Sequence, residues 1–316
     1  MSSDTLPSAS VSGSPGNGWN RFWFQQILPG RFHWVRFFTG LLLTCWLLSF
    51  AFSYQEAVGR DGWLDGKAEE AIRRLPESGE IPKSWARDLV PSSPALLGTL
   101  YLATIVNAVF LTLGWATRLT APLAWLSVQI FTSNPILYDG SNALLAVLVL
   151  YVAVGCVGMH FRLFDLGFAP LPWRALVLER PSVFANIALR LIQVHFAIII
   201  VMSLLHKFQD AEWWAGDALW YSLYTPFETN VGNLLQQAGR RDNWLVLISL
   251  ATYLTMIWQA TFPIQPFTRL GRWVMFLGGV IGWIWCDLIA RQPVFGPAIM
   301  IAIVASCRSV DKSSSR

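Results

Sequence analysis

The feature that most constrains this chain is a run of apolar residues, 186–205, which ends directly in His206 and Lys207. A run of about 20 residues is long enough to cross a hydrocarbon layer of ~30 Å as a helix. Polar side chains interrupt the run, among them Arg190, Gln193 and His195. Ionisable groups at membrane depth are costly and usually face a bundle interior or a water-filled cavity. The run therefore predicts a transmembrane helix whose ionisable residues are candidates for a functional site.

Composition places the whole chain among membrane proteins. Hydrophobic residues make up 54% of the sequence and charged residues 13%, whereas charged residues make up roughly 25% of a soluble domain. The 17 tryptophans suit the aromatic belts that form at membrane interfaces. The net charge of +4 comes from dispersed residues, with no basic run interleaved with aromatics. Membrane lipid is therefore an expected partner, and nucleic acid is not.

Hydropathy and turn residues predict an all-α fold, a polytopic transmembrane helical bundle of about eight helices. Turn residues separate neighbouring spans, as Gly114 does between the second and the third. The third and the last spans are short, so they are expected to be tilted, re-entrant or shielded by neighbouring helices. The predicted spans are 34–54, 94–115, 119–133, 141–159, 186–206, 243–262, 272–290 and 293–307.

This pattern divides the chain into three regions. Residues 1–30 are expected to form a disordered N-terminal tail, because the first part of this segment is rich in serine, glycine and proline. Residues 31–307 are expected to form the transmembrane domain, with long outer loops at 55–93 and 208–242. Residues 308–316 follow as a cytoplasmic tail.

The placement of arginine and lysine predicts the orientation of the bundle. With the N-terminus inside, thirteen basic residues fall in inner segments and four in outer segments, leaving aside the long loop 55–93. We therefore expect a multi-pass protein of the cell membrane with both termini in the cytoplasm. Lys207 then lies at the outer end of the fifth helix.

Candidate functional residues are concentrated on this fifth helix. Gln193 and Lys207 are 14 residues apart and fall within about 40° of each other around a helix. His195 and His206 are 11 residues apart and fall within about 20°. We interpret these residues as one polar arc that lines a wet cavity. Two residues outside the helix complete the candidate set, namely Asn142 and Trp213.

Purely structural roles would also account for the presence of these polar residues, without a catalytic or substrate-binding function. In that alternative, Lys207 and Arg190 extend to the lipid headgroups, His195 is a hydrogen-bonded structural histidine, and Asn142 caps a helix. The sequence has no HExxH, CxxC or GxSxG motif and no phosphate-binding glycine loop. Metal, serine-hydrolase and nucleotide chemistry are therefore not predicted.

Four strings, in order along the chain, resemble the HTTM (horizontally transferred transmembrane) family, which is related to the membrane half of vitamin K-dependent gamma-carboxylase. The similarity covers about residues 30–262. The chain departs from the family at Gln259, where relatives often carry glutamate, and around Trp283 and Trp285, where they often carry histidine. The four strings are RFFTGLLLTCWLL at 36–48, LGWATRLTA at 113–121, SNPILYDGSNALLAVLVLY at 133–151 and LRLIQVHFAIIIVMSLLHKFQDAEWWAGDALWYSL at 189–223.

The resemblance implies a mechanism at the matching positions. In the carboxylase, a lysine deprotonates reduced vitamin K, and the quinol then reacts with oxygen to give a stronger base that drives CO₂ addition to a glutamate. Lys207 matches that lysine, so the resemblance implies a quinol-dependent carboxylase or oxidoreductase with Lys207 as the catalytic base and His206 assisting. A reduced quinone is the implied cofactor, and a small peptide or protein on the outer face is the implied substrate. The expected substrate-binding residues are His195, Gln193, Asn142 and Trp213. Two alternatives stay open. One is a non-catalytic membrane partner in the maturation of, or immunity to, a small secreted peptide; the other is a lipid or amphiphile transporter.

Overall fold

The computed structural model describes residues 18–59, 62, 85–133, 140–159, 181–222, 242–288 and 292–307. These residues are helical and contain no β-strand, although an isolated bridge pairs Ile27 with Ser182. The α-helices are α1 Gly18–Phe24, α2 Gly30–Ser49, α3 Tyr54–Val58, α4 Pro94–Leu113, α5 Thr117–Phe131, α6 Gly140–Met159, α7 Val183–Lys207, α8 Ala211–Ala215, α9 Ala218–Ser222, α10 Asp242–Thr261, α11 Arg269–Leu288 and α12 Phe295–Ser306. Two short 3₁₀ helices are Trp85–Leu89 and Gln265–Phe267.

Helices lie at all eight stretches that hydropathy predicts as spans. By length and composition, four of them are long and apolar enough to cross a membrane, namely α2, α4, Ser141–Met159 of α6, and α7. Leu245–Thr261 of α10 and the whole of α12 are shorter apolar helices. The all-α fold is therefore confirmed, with four candidate spans among the described helices. A crossing by each of the other four helices stays a prediction.

The core of the bundle lies between α2, α6, α7 and α12. Helix α12 is apolar on all sides, and Ala298, Ala302 and Ile303 are fully buried because neighbouring helices surround it. Such burial agrees with the expectation that this short span is shielded. Helices α6 and α7 approach closely, since a Cβ at Gly155 would lie 3.0 Å from the Cβ of Ala188.

The C-terminal end of α4 is bound to α2 through a buried arginine. Arg36 is fully buried, and its Nη1 donates to the carbonyl oxygens of Leu111 at 2.6 Å and Thr112 at 3.3 Å. Carbonyls in the last turn of a helix have no intrahelical donor, so the guanidinium satisfies them. One turn further along α2, a Cβ at Gly40 would lie 2.9 Å from the Cα of Thr112. Arg36 and Gly40 together set the distance between the two helices.

A tight turn joins α4 to α5. Gly114 ends α4 in the left-handed region, with φ of 86°, and its amide donates to the Phe110 carbonyl at 2.8 Å. Glycine adopts this conformation without the steric cost that a Cβ would add. Asn107 then links the two helices, because its Nδ2 donates to the Thr120 carbonyl at 3.0 Å. The turn predicted at Gly114 is therefore present.

The prediction of a disordered tail is wrong for residues 18–30. Residues 18–24 form α1, which packs against α7. The side chain of Asn186 donates to the carbonyl oxygens of Phe22 at 2.9 Å and Trp23 at 3.0 Å. Aromatic packing and these bonds from α7 order the segment, although the residues before it are polar and rich in serine. A composition average over the whole segment hides this change.

Both predicted outer loops are described in part. In the loop 55–93, α3 and the first 3₁₀ helix fold back onto the bundle, where Arg87 donates to the Val58 carbonyl at 2.9 Å. In the loop 208–242, α8 and α9 are described as far as residue 222. The rest of these loops lies outside the described residues, as do segments 1–17 and 308–316.

Candidate functional site

Lys207, the last residue of α7, is held by two neutral groups. Its Nζ donates to the Ser203 hydroxyl at 2.8 Å, one turn earlier on the same helix. The same nitrogen lies 4.8 Å from the centre of the Trp213 ring, within the range of a cation–π contact. The side chain is half-buried rather than extended into solvent. Trp213, which the sequence also names as a candidate, therefore lies beside Lys207.

The chain after α7 forms a cap over Lys207, which we define as residues 208–216. Trp214 stacks on Phe208 with ring centres 5.1 Å apart, and its Nε1 donates to the Phe208 carbonyl at 2.9 Å. Tyr253 of α10 donates its hydroxyl to the Trp214 carbonyl at 2.7 Å. Gly216 closes α8 with φ of 81°. The cap is therefore held by a hydrogen bond within itself and by a second one to α10. These bonds keep Trp213 beside the Lys207 side chain.

Helix α11 contributes one residue, Cys286, to this environment. Cys286 is partly buried and lies close enough to Lys207 for the two groups to interact electrostatically. Within the part of the chain that the structure describes, no carboxylate contacts the Lys207 nitrogen. We call Ser203, Lys207, Trp213 and Cys286 the Lys207 cluster. Such a cluster combines an amine with a hydroxyl, an aromatic ring and a thiol.

The cluster contains two residues that sequence reasoning missed. Ser203 lies four residues before Lys207, so helical spacing alone could have found it. Cys286 comes from a helix about 80 residues later in the chain, and a single sequence carries no signal that would bring it to Lys207.

His206 and Asn142 have different relations to the cluster. His206 is exposed and lies about 100° around α7 from Lys207, so the two side chains leave the helix in different directions. Asn142 is buried in the first turn of α6. Since α6 and α7 run antiparallel and Tyr151 meets His195, Asn142 lies near the level of residue 204. The structure thus places Asn142 at the height of the cluster, inside the helix rather than at its N-cap.

His195 has a structural partner far from Lys207. Its Nδ1 is hydrogen-bonded to the Tyr151 hydroxyl of α6 at 2.8 Å, and the two rings meet edge to face. Twelve residues separate it from Lys207, which corresponds to ~18 Å along the helix. The sequence left open whether His195 is a hydrogen-bonded structural residue or part of a site. The structure contains the hydrogen-bonded arrangement.

Gln193 lies in a third environment. It is buried, and its Oε1 accepts from Nη1 of Arg190 at 2.6 Å. Gln193 and His195 are two residues apart, which places them about 200° apart around α7. The interpretation of one polar arc is therefore wrong: Gln193 pairs with Arg190, His195 faces α6, and Lys207 faces the cap.

Comparison of the chain with protein-family models, with curated proteins and with solved structures gives no match. The resemblance to the HTTM family therefore rests on the four strings alone and stays a prediction. The geometry of the Lys207 cluster is independent of it.

Proposed function

We propose that this chain is an integral membrane protein in which Lys207 removes a proton from a weakly acidic, lipid-soluble substrate. The substrate class is a reduced quinone, as the resemblance to the carboxylase implies. The observation that carries the proposal is the position of the Lys207 nitrogen, which touches the Ser203 hydroxyl and the Trp213 ring and no described carboxylate. A carboxylate partner would favour a permanent ammonium, whereas a base must be able to become neutral.

The chemical step uses the lone pair of the neutral amine. The Lys207 nitrogen takes the proton of a quinol hydroxyl, the electrons of the O–H bond stay on oxygen, and a quinolate and an ammonium result. Trp213 offers a ring face to a flat aromatic substrate and then to the ammonium that forms. Ser203 orients the amine through the bond of 2.8 Å.

Substitutions at Lys207 test the base directly. Purified protein in lipid nanodiscs is supplied with a short-chain naphthoquinol, and oxygen consumption is followed, because dissolved oxygen is the oxidant of the quinolate in the reaction that the resemblance implies. Lys207→Ala should lower the rate about 100-fold or more, because general-base catalysis contributes at least that factor. A small added amine should restore part of the rate by entering the vacated space. Equal elution profiles on size exclusion would show that the variant is folded.

Lys207→Arg tests whether the activity needs a base at this position or only a fixed positive charge. A guanidinium stays protonated at any working pH, so this variant should be as inactive as the alanine variant. Full activity of the arginine variant would show that a positive charge suffices, and the general-base proposal would then fail. The non-catalytic alternative would take its place, with the lysine as an anchor. Absence of any turnover by the unsubstituted protein would also reject the proposal.

A finer membrane topology belongs to the same proposal. All eight apolar helices cross the membrane, both termini lie in the cytoplasm, and the Lys207 cluster faces the outer side. The support is the excess of basic residues in the predicted inner segments. A substrate dissolved in the outer leaflet then reaches the cluster laterally.

A further inference from the structure

The opposite end of α7 contains a cavity of about 180 Å³ that three arginines line. Arg21 comes from α1, Arg31 from the start of α2 and Arg190 from α7. Gln193 lines the same cavity. The described lining includes no carboxylate. Three arginines from three separate helices therefore line one space, which we call the arginine cavity.

Neighbouring groups position two of these three arginines. The Arg190 guanidinium lies 4.4 Å from the centre of the Phe22 ring and donates to Gln193 at 2.6 Å. Arg31 donates to the carbonyl of Cys307, after the end of α12. Arg272 of α11 adds a fourth positive charge nearby, since it and Arg31 both interact with the Cys307 thiol. Because Arg190 and Arg31 are already held by these contacts, they lose little rotamer entropy when an anion binds.

An apolar groove of about 360 Å³ opens from the arginine cavity. The two spaces share lining residues, including Phe22, Gln193 and Phe267, so they are continuous. From Gln193 the groove follows α7 to Met202, which is about 14 Å along the helix axis. Ile198 is 57% exposed in the groove, so its apolar surface is open to lipid. We call this feature the α7 groove.

We propose that the arginine cavity and the α7 groove together bind an anionic phospholipid. The phosphate occupies the cavity, because guanidinium groups match phosphate oxygens bidentately. One acyl chain lies in the groove, where Ile198, Val201 and Met202 provide apolar contact. The direction is right for a lipid, since the groove runs along a candidate membrane span from near its middle toward its later part. A free anion would use the cavity and leave the groove empty.

This lipid site is separate from the Lys207 cluster. Arg190 and Lys207 are 17 residues apart, which corresponds to ~26 Å along α7. Its occupant has a permanent negative charge, whereas the proposed substrate of Lys207 is a neutral quinol. The lipid site therefore does not depend on the proposed reaction, and either proposal can fail without the other.

Binding of phosphatidylglycerol tests the proposal, with phosphatidylcholine of the same acyl chains as reference. The full chain is purified in detergent, and lipid retention is measured by native mass spectrometry. The unsubstituted protein should retain phosphatidylglycerol in preference to phosphatidylcholine. Arg21→Gln should lower the affinity for phosphatidylglycerol about tenfold, because a charge-assisted hydrogen bond contributes roughly that factor. Arg21 is exposed, so this change leaves the packing of the bundle intact.

Arg269→Gln is the matched control. Arg269 is an exposed guanidinium at the same end of the bundle, and it does not line the cavity. Its removal should leave phosphatidylglycerol affinity unchanged. An equal loss in both variants would show attraction to general surface charge, and the proposal of a built site would be wrong. Equal retention of the two lipids by the unsubstituted protein would reject it as well.

Two further measurements distinguish binding of a lipid from binding of a free phosphate. Ile198→Trp fills the α7 groove and should weaken phosphatidylglycerol binding several-fold without changing the binding of glycerol phosphate. Glycerol phosphate itself should compete poorly, since it cannot use the groove. If glycerol phosphate competes as well as the lipid and Ile198→Trp has no effect, the cavity binds small anions and the lipid proposal fails. If a segment of this chain fills both spaces, neither lipid binds there, and the proposal fails in the same way.

Discussion

At the scale of single residues, Arg36 shows how a charge that marks topology can instead hold two helices together. The sequence counts it among the basic residues of the inner segments, yet the structure buries it completely against the last carbonyls of α4. A cation at a helix C-terminus also interacts favourably with the helix dipole. Its main role is therefore structural.

Arg36→Met should destabilise the protein by about 1–3 kcal/mol, because buried carbonyl oxygens at Leu111 and Thr112 lose their donor. Thermal unfolding in detergent, followed by tryptophan fluorescence, measures the effect. Arg269→Met is the control: its guanidinium is exposed, and we expect a change within about 0.5 kcal/mol. Equal losses of stability in the two variants would show that Arg36 does not stabilise the protein by capping α4.

The pair of Tyr151 and His195 gives a second prediction at this scale. Tyr151→Phe should lower the free energy of unfolding by about 1 kcal/mol, since it removes one hydrogen bond of 2.8 Å. Quinol oxidation should be unchanged, because the pair lies ~18 Å from Lys207 along α7. A tenfold loss of activity in a fully folded Tyr151→Phe variant would return His195 to the functional site.

At the scale of elements, close approach of helix backbones determines which pairs pack. Lipid and protein interiors are equally apolar, so packing in membranes depends on small residues and polar links. Gly40 lets α2 approach the backbone of α4, and Gly155 lets α6 approach α2 and α7. Asn107 and Arg36 add hydrogen bonds between helices.

Gly40→Ala should therefore destabilise the bundle by about 1–3 kcal/mol, because the new methyl group would lie 2.9 Å from backbone atoms of Thr112. Gly282→Ala is the matched control within α11, where an added Cβ meets no atom within 4 Å. We expect that control to be neutral or to stabilise by up to about 1 kcal/mol, as alanine favours a helix over glycine. Thermal midpoints in detergent compare them, and a larger loss for the control would refute the packing argument.

At the scale of the whole molecule, α7 connects two chemically different ends. One carries the capped Lys207, and the other carries the arginine cavity against α1. The positive-inside pattern predicts that the arginine end faces the cytoplasm. Anionic lipids of a cytoplasmic leaflet would then lie beside the proposed lipid site.

Reporter fusions test this orientation. A reporter at Ser314 should be active on the cytoplasmic side, and one inserted within 208–242 should be active outside. The reason is the count of thirteen basic residues in inner segments against four in outer ones. Both reporters on the same side would contradict the topology, and reversed sides would invert the assignment of the two ends.

The sequence by itself determined the helical segments and their apolar character. Helices lie at all eight predicted runs, four of which are candidate membrane spans, and Gly114 predicted the turn between α4 and α5. Trp213, six positions after Lys207, was named as a candidate from the sequence, and the structure places it beside the lysine. These are local properties, since helix formation depends on backbone bonds within about four residues.

The tertiary structure alone decided which face of each helix meets protein. An apolar side chain is equally stable against lipid and in the protein core. Hydropathy therefore does not distinguish buried Ile192 from exposed Ile198 on the same helix. The partners of polar residues were undetermined for the same reason: Gln193 pairs with Arg190, while His195 pairs with Tyr151. The arginine cavity and Cys286 beside Lys207 unite segments distant in the chain. Such contacts between distant segments depend on how neighbouring helices pack. The order of residues along one helix does not determine this packing.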